Sequence, residues 1–425
     1  MNVFKFGGAS VRDAVGFRNV GTLLQRETDQ HLVVVVSALG KTTNALETVV
    51  ASYLAGRTAE ALQRWQQIVD AHDQICADLT LPPRDSLPLQ ALYETVHAHL
   101  TDPAFDPASA QPEAVYDQLV SVGELLSTHL VVAYLMHIGL PVVWADARLL
   151  VRTDARFGEA VVDWKATNQL INSYMATETG LIVTQGFIGG TATGQPTTLG
   201  REGSDYSAAI FAHCLNAHSV TIWKDVPGVL NADPRYFEKT QLLPRLTYQD
   251  ATELAYYGAT VIHPKTIKPL QNKGIPLRVR SFLQPDQPGT LVSNQLVETV
   301  IPSFIFKVNQ WLISLSPTDF SFIAEEKLSL IFGLFAEAGV RINLMQNTAL
   351  SFTVVVDNRP DRVAGLLEKL RTAFRVTYNQ NLELITVRHY DQATLDRVLD
   401  GKRLLLEQKS RTTAQLVVQG VVGTA

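Results

Sequence analysis

Along residues 1–293, short uninterrupted apolar runs alternate with stretches whose apolar residues recur three and four positions apart. Leu32–Ser37 (LVVVVS) and Leu181–Gln185 (LIVTQ) carry no polar alternation, the pattern of strands covered on both faces of a parallel sheet. Val3–Phe6, Pro141–Trp144 and Ser219–Trp223 read as further strands, and residues 275–293 as two strands around a proline-rich turn. Between them, Ala14, Phe17, Gly21 and Leu24 mark one helical face, and Leu46, Val49, Val50, Tyr53 and Leu54 another. Asn44 followed by Glu47 has the form of a capping box at the start of that second helix. Residues 56–112 read as mostly helical, 113–138 as one long helix, and 247–260 and the IHPKTIKPLQNKG run as two more. Alternating strands and helices predict an α/β fold with a mainly parallel sheet, whose ligands gather outside the carboxyl ends of the strands.

The texture changes after residue 294. Strands at 305–316, 340–346, 351–356 and 373–378, with helices at 324–338 and 361–372, give βαββαβ, a ferredoxin-like unit. Strand 382–389, helix 391–399 and strands 403–409 and 413–419 begin a second pass and stop at βαββ. The expected division is therefore 1–293, a linker at 294–303, a unit at 304–380 and a truncated unit at 381–425.

Composition narrows the function. The 425 residues, 46% hydrophobic and 18% charged, suit a globular enzyme. A net charge of −5 argues against nucleic acid. No apolar run reads as long enough for a bilayer, and the early first strand leaves no room for a signal peptide. Cys76 and Cys214 form no metal or redox spacing, so a reducing cytoplasm is expected.

Chemistry concentrates at the predicted strand ends. In VFKFGGASV, Lys5 precedes a Gly7–Gly8 turn whose backbone can press against an anion; alone, such a turn is often only a turn. Arg201 lies three residues before Ser204 and Asp205 at a helix start, an arrangement for a carboxylate or phosphate or else a plain N-cap. Glu124 stands among Leu119, Val120, Val122, Leu125 and Leu126, where a carboxylate needs a partner, either internal or a substrate ammonium. The run from Lys224 to Arg235 combines cation, carboxylate and a Pro–Gly turn, as a phosphate site or a surface loop would. Ser37, with Gly40 and Thr43 beyond it, is placed for a substrate hydrogen bond or a simple turn, and His263 for helix capping rather than catalysis.

In order, KFGGAS, VVVVSALGKTTN, SVGE, TQGFIG, LGREGSDYSAA, KDVPGVLNADPR and GATVIHP resemble the motifs of the aspartate kinases of the amino acid kinase family, across residues 1–293. The C-terminal units resemble ACT regulatory domains. The resemblance implies the three-layer amino acid kinase fold, and ATP with Mg²⁺ transferring phosphate to the side-chain carboxylate of L-aspartate. It assigns Lys5, Gly7, Gly8, Ser10, Lys224, Asp225, Leu230, Arg235, Thr260 and Val261 to ATP. Ser37, Thr43, Glu124, Arg201 and Ser204 go to aspartate. Lys5, Lys224 and Asp205 form the catalytic set, with no protein-held metal. An effector, lysine or threonine, is expected near 319–323 and at Phe322, Ile342, Asn343 and Asn347, with a homodimer or higher assembly through the ACT units. Ala9 replaces the signature threonine, and Glu202 a common glycine. Leu230 and Thr260 stand where some relatives carry tyrosine and lysine, and Asn343 and Ala349 where relatives often carry aspartate and glutamate. The alternatives are a glutamate or acetylglutamate kinase and a catalytically silent amino-acid sensor.

Overall fold

The computed structural model describes residues 1–27, 31–82, 87–178, 180–237, 239–259, 261–295, 300–319 and 321–420. Contacts divide the chain into two compact units: residues 1–229, 242–255 and 260–297, and residues 230–241, 256–259 and 298–425.

The first unit carries strands β1 (Asn2–Phe6), β2 (Leu32–Val36), β3 (Val142–Ala145), β4 (Leu181–Gln185), β5 (Ile188–Gly190), β6 (Pro196–Thr198), β7 (Ser219–Lys224), β8 (Arg245–Thr247), β9 (Leu277–Ser281) and β10 (Thr290–Ser293). Its helices are α1 (Ala14–Gln25), α2 (Thr42–Leu54), α3 (Thr58–Asp78), α4 (Leu89–Leu100), α5 (Pro112–His137), α6 (Ala147–Leu150), α7 (Trp164–Met175), α8 (Gly203–Leu215), α9 (Tyr248–Tyr257, whose last two residues group with the second unit) and α10 (Pro264–Lys273). Eight strands form one sheet in the order β3-β4-β2-β1-β7-β9-β10-β8, and only the β9–β10 pair is antiparallel. β5 and β6 make a separate hairpin. The apolar runs behave as the pattern predicts: all five residues of β2 are buried at the sheet centre.

Local capping follows chemistry that is partly visible in sequence. Asp13 accepts from Gly16 N at 2.9 Å to start α1, and His263 Nδ1 accepts from Lys265 N at 3.2 Å to start α10, the capping role expected of it. The Asn44–Glu47 capping box does not form: the N-cap of α2 is Lys41, three residues earlier, and Asn44 lies inside the helix. Glu47 instead accepts from Tyr116 Oη at 3.1 Å. A second correction concerns α5. By length and composition it could cross a bilayer, contrary to the reading of the apolar runs, but 83% of its apolar window is buried inside the protein. It packs against α2, α4, β3, β4 and β6 as a core helix.

The second unit holds β11 (Ser303–Pro317), α11 (Glu325–Glu337), β12 (Ile342–Asn347), β13 (Phe352–Asp357), α12 (Pro360–Arg371), β14 (Phe374–Arg388), α13 (Gln392–Leu399), β15 (Lys402–Lys409) and β16 (Thr413–Gly420). One six-stranded sheet runs β12-β13-β11-β14-β16-β15. The two strands predicted at 373–378 and 382–389 are a single strand, β14. β11 and β14 pair along their whole length, with register shifts between Lys307 and Leu312. Asn309 and Asn381 take left-handed φ of 55° and 56° there, a conformation asparagine tolerates better than most residues. The back half of β11 completes the first ferredoxin-like unit, and its front half, Ser303–Lys307, pairs with Leu384–Arg388. That front half supplies the fourth strand of the second unit, so the expected truncation is corrected: the missing strand lies upstream in sequence. Its core takes Phe304, Ile385, Val387, Leu395, Val398, Leu416 and Val418, with Ala232 and Phe237 arriving from residues 230–241.

Candidate functional site

Parallel strands bring their carboxyl ends to one side of the sheet, and a cavity of about 980 Å³ opens there. Lys5 comes from β1, Ser37, Ala38 and Gly40 from the end of β2, Thr43 from α2, Glu124 from the middle of α5, and Gly200 to Asp205 from the start of α8. The close approach of these segments depends on glycine. A Cβ on Gly8 would lie 2.6 Å from the Gly40 carbonyl oxygen, and one on Gly186 would lie 2.6 Å from Ser204 Cβ. Gly8 O also accepts from Gly40 N at 3.0 Å, tying the Gly–Gly turn to the loop after β2.

Asp205, 0% exposed in the first turn of α8, sits between two cations: Lys5 Nζ at 2.7 Å and Lys224 Nζ at 3.2 Å. Burial opposes its ionisation, but the two ammonium groups outweigh burial and hold its carboxyl below the ordinary value. The carboxylate thus fixes two lysines from different strands, β1 and β7, side by side. Asp205, expected in the catalytic set, contacts both lysines of that set.

Glu124 is 2% exposed. Its Oε1 accepts from Ala38 N at 3.3 Å, and its Oε2 has no hydrogen-bond partner. Burial pushes its carboxyl up to about 8, against the opposing pull of the Ala38 amide and of Lys5. A buried carboxylate with a spare oxygen suits an incoming ammonium. Arg201 lines the same cavity, is exposed, and makes no hydrogen bond or ion pair with any described residue. The cavity therefore offers an anion receptor and a cation receptor beside a lysine pair.

Lys5, Gly8, Ser37, Thr43, Glu124, Arg201, Ser204 and Asp205 come together around this cavity. Lys224 reaches its edge through Asp205. Gly7 neighbours Lys5, a Cβ there meeting Nζ at 3.3 Å. Ser10 is buried with its hydroxyl unpartnered, away from the cavity lining, while Ala9 is exposed. Asp225 and Val261 do not line the cavity either. Leu230 and Arg235 group with the second unit, and Arg235 is engaged by Asp233 at 2.5 Å. Thr260 lies outside the described residues. Glu202 adopts φ 55°, ψ 28°, the left-handed region, which explains a glycine preference at this helix start.

In the second unit, Asn343 is closed into a polar network. Its Nδ2 donates to Asp357 Oδ1 and Gln310 Oε1, both at 2.8 Å, and its Oδ1 accepts from Lys307 at 2.9 Å. Ile342 is half-buried, Asn347 exposed, and Phe322 70% exposed. Lys327 pairs with Asp319 at 3.3 Å within the expected effector stretch, whose Phe320 lies outside the described residues.

Sequence reasoning missed Glu47, Tyr116, Phe157 and Glu159 in the cavity wall, and the fully buried Asp117 behind it. Asp117 precedes Glu124 by seven residues, two helical turns, which places both carboxylates on one face of α5. That spacing was the available signal. Among the described residues no group of three or more His, Cys, Asp or Glu converges as a metal site.

The model of the amino acid kinase family matches residues 1–281. Lysine-sensitive aspartokinase 3 of Escherichia coli (strain K12) is 32% identical over 399 residues, covering 91% of this chain and 86% of that one. The structure of E. coli aspartokinase III in complex with aspartate and ADP superposes with a TM-score of 0.81 at 28% identity, over 99% of this chain and 96% of that one. The same enzyme in complex with lysine and aspartate gives a TM-score of 0.80 at 29% identity, again over 99% and 96%.

Proposed function

The chain belongs to the amino acid kinase family and, within it, to the aspartokinases, and on that footing we propose how its cavity transfers phosphate from ATP to the side-chain carboxylate of L-aspartate. The observation that carries the reading is the juxtaposition in one cavity of Lys5 and Asp205, with Lys224 paired to Asp205 at its edge, the half-satisfied Glu124 and the unpaired Arg201. Arg201 takes the α-carboxylate, and Glu124 takes the α-ammonium. Ser37, Thr43 and Ser204 supply hydrogen bonds that orient the remaining carboxylate.

That carboxylate is ionised at neutral pH, so the reaction requires no general base. Its oxygen attacks the γ-phosphorus of ATP, the bond from that phosphorus to the bridging oxygen breaks, and ADP leaves with the electron pair. The product is the mixed anhydride 4-phospho-L-aspartate. Catalysis reduces to alignment and to neutralising charge on the phosphoryl oxygens, the work of Lys5, Lys224 and the Gly7–Gly8 backbone. Mg²⁺ would supply further charge neutralisation. On this reading the ion is held chiefly by phosphates and water. Asp225, Leu230, Arg235, Thr260 and Val261 belong to the nucleotide side of this reading on the strength of the motif resemblance alone.

Feedback by lysine or threonine through the second unit belongs to the same reading, supported by the lysine sensitivity named for the E. coli relative. With Asn343 engaged by its neighbours, Phe322 and Asn347 are the expected residues still open to an effector. Assembly through the exposed edge strand β12, and a cytoplasmic location matching two buried free cysteines, complete it. An ATP-coupled hydroxamate assay comparing L-aspartate, L-glutamate and N-acetyl-L-glutamate tests the function. Trapped hydroxamate from aspartate alone is expected; turnover only with a glutamate substrate, or none at all, rejects it.

A further inference from the structure

Asp117 is 0% exposed, yet none of its side-chain hydrogen bonds serves the helix it sits on. Its Oδ1 accepts from Thr198 Oγ1 at 2.6 Å and from Gly158 N at 3.1 Å. Its Oδ2 accepts from Thr198 N at 2.9 Å and shares the Gly158 N–H at 3.1 Å. Thr198 Oγ1 also contacts Gly158 O at 3.2 Å, and Ala160 N donates to Thr198 O at 2.9 Å. One side chain thus joins α5, the 154–161 loop and the end of β6.

Each joined segment leads into the cavity. Phe157, Gly158 and Glu159 form part of its wall, and three residues beyond Thr198 the chain reaches Arg201. The loop's neck is closed by its own residues, Asp154 Oδ1 accepting from Val161 N at 2.9 Å and Asp154 N donating to Val161 O at 3.0 Å. Its tip is fastened at Gly158, and the fastening is Asp117. Two turns along α5, Glu124 holds the opposite wall through Ala38 N. The two buried carboxylates of α5 therefore set the spacing between the ammonium receptor and the segment carrying Arg201.

We propose that Asp117 is a positioning residue for the amino-acid substrate: it holds the 157–159 wall and the Thr198–Arg201 segment at the distance from Glu124 that the acceptor's α-carboxylate and α-ammonium require. The inference rests on the acceptor reading above. Its chemistry calls for a pure acceptor. An asparagine with its NH₂ group in the Oδ2 position would aim it at Thr198 N and leave that buried donor unpaired; turned the other way, it would set two N–H donors, its own and that of Gly158, against each other and force Thr198 Oγ1 to accept instead of donate.

The test is steady-state kinetics of the full chain, varying acceptor and ATP separately, for wild type, Asp117→Asn and Thr198→Val. Expected for Asp117→Asn is an acceptor KM raised about tenfold or more with the ATP KM within about twofold. Thr198→Val removes the hydroxyl bond but keeps both backbone donors, and should raise the acceptor KM by about threefold. Unchanged acceptor KM alongside a lowered Tm makes Asp117 merely structural and overturns the proposal, as does an equal rise in both KM values. If Asp117→Asn does not fold, Thr198→Val decides by the same two criteria. Wild-type turnover of aspartate is measured first; its failure rejects the aspartate reading, and the ratio is then read for whichever acceptor the wild type does phosphorylate.

Discussion

Glu124 gives the most quantitative expectation. Its carboxyl, pushed up to about 8 by burial, begins as a neutral acid at pH 7, whereas an ammonium ligand needs it charged. One unit below its midpoint roughly a tenth of the free enzyme is ionised, and two units below roughly a hundredth. Below the midpoint, aspartate must bind this minor form or displace its proton. Hence kcat/KM for aspartate should climb about tenfold from pH 6 to 7 and about fivefold from 7 to 8, levelling beyond about 8. Calorimetry at pH 7 in buffers of different ionisation enthalpy should find close to one proton released per aspartate bound. Glu124→Gln should abolish the climb and weaken aspartate about a hundredfold, the usual scale for losing one partner of a buried charge pair. The same group acts on stability with a definite sign. Its folded value of about 8 lies above the reference 4.5, so the native state holds the extra proton between those values and stability falls as pH rises through that window. The loss reaches roughly 3 kcal/mol by pH 7, and Glu124→Gln should escape it, melting higher than wild type at pH 7 and equally at pH 4. A flat kcat/KM profile from pH 6 to 8, or a glutamine variant that keeps the wild-type slope, would refute the reasoning.

Lys5→Ala should lower kcat by about a hundredfold or more while the protein still folds, because Lys224 remains as counter-charge to Asp205; a rate assay with a melting curve checks both. Glu202→Gly relieves a left-handed non-glycine residue and should stabilise the first unit by about 0.5–1 kcal/mol, seen as a higher Tm, while removing a negative charge next to Arg201 lowers the aspartate KM. Phe237→Ala should loosen the second unit by about 3 kcal/mol through its stack on Phe304 at 4.8 Å, measured as a selective loss of hydrogen-exchange protection in β14 and β16. Titrating lysine and threonine into the rate assay checks feedback; inhibition by one of them is expected, and indifference to both removes that part of the reading.

Much of this molecule is legible in its sequence because its strongest signals are local. LIVTQ is β4 residue for residue, and the long apolar periodicity from 113 to 138 is α5 to within one residue at each end. Glycines before and after strands mark where backbones touch, as the Gly8–Gly40 contact shows. What escaped reading depends on partners distant in sequence. Glu47 looked like the far end of a capping box because its real partner, Tyr116, is 69 residues away. The second ferredoxin-like unit looked truncated because its fourth strand precedes the first unit, on the front half of β11. The polar stretch Asn379–Asn381 reads as a break, yet Asn381 in the left-handed region carries β14 through it opposite the bulge at Asn309.

The same distinction separates the two kinds of residue in the cavity. Lys5, Glu124 and Arg201 announce themselves by being polar where the surrounding pattern is apolar or glycine-rich. Asp205 and Asp117 do something the linear pattern does not encode: each is a buried acceptor whose partners converge from separate elements, two lysines on β1 and β7 for Asp205, a loop tip and a strand end for Asp117. Moving such a carboxylate from water is costly unless every oxygen is engaged, so each survives in the core only while its converging segments stay in register. The cost ties substrate geometry to folding. Asp205 is held ionised by its lysines, whereas Glu124 keeps one oxygen unpartnered and is held neutral until an ammonium arrives. On the proposed reading, Glu124, the one of the three buried carboxylates with no cation beside its spare oxygen, is the group whose charge state changes when aspartate binds, while Asp205 and Asp117 keep the walls in place.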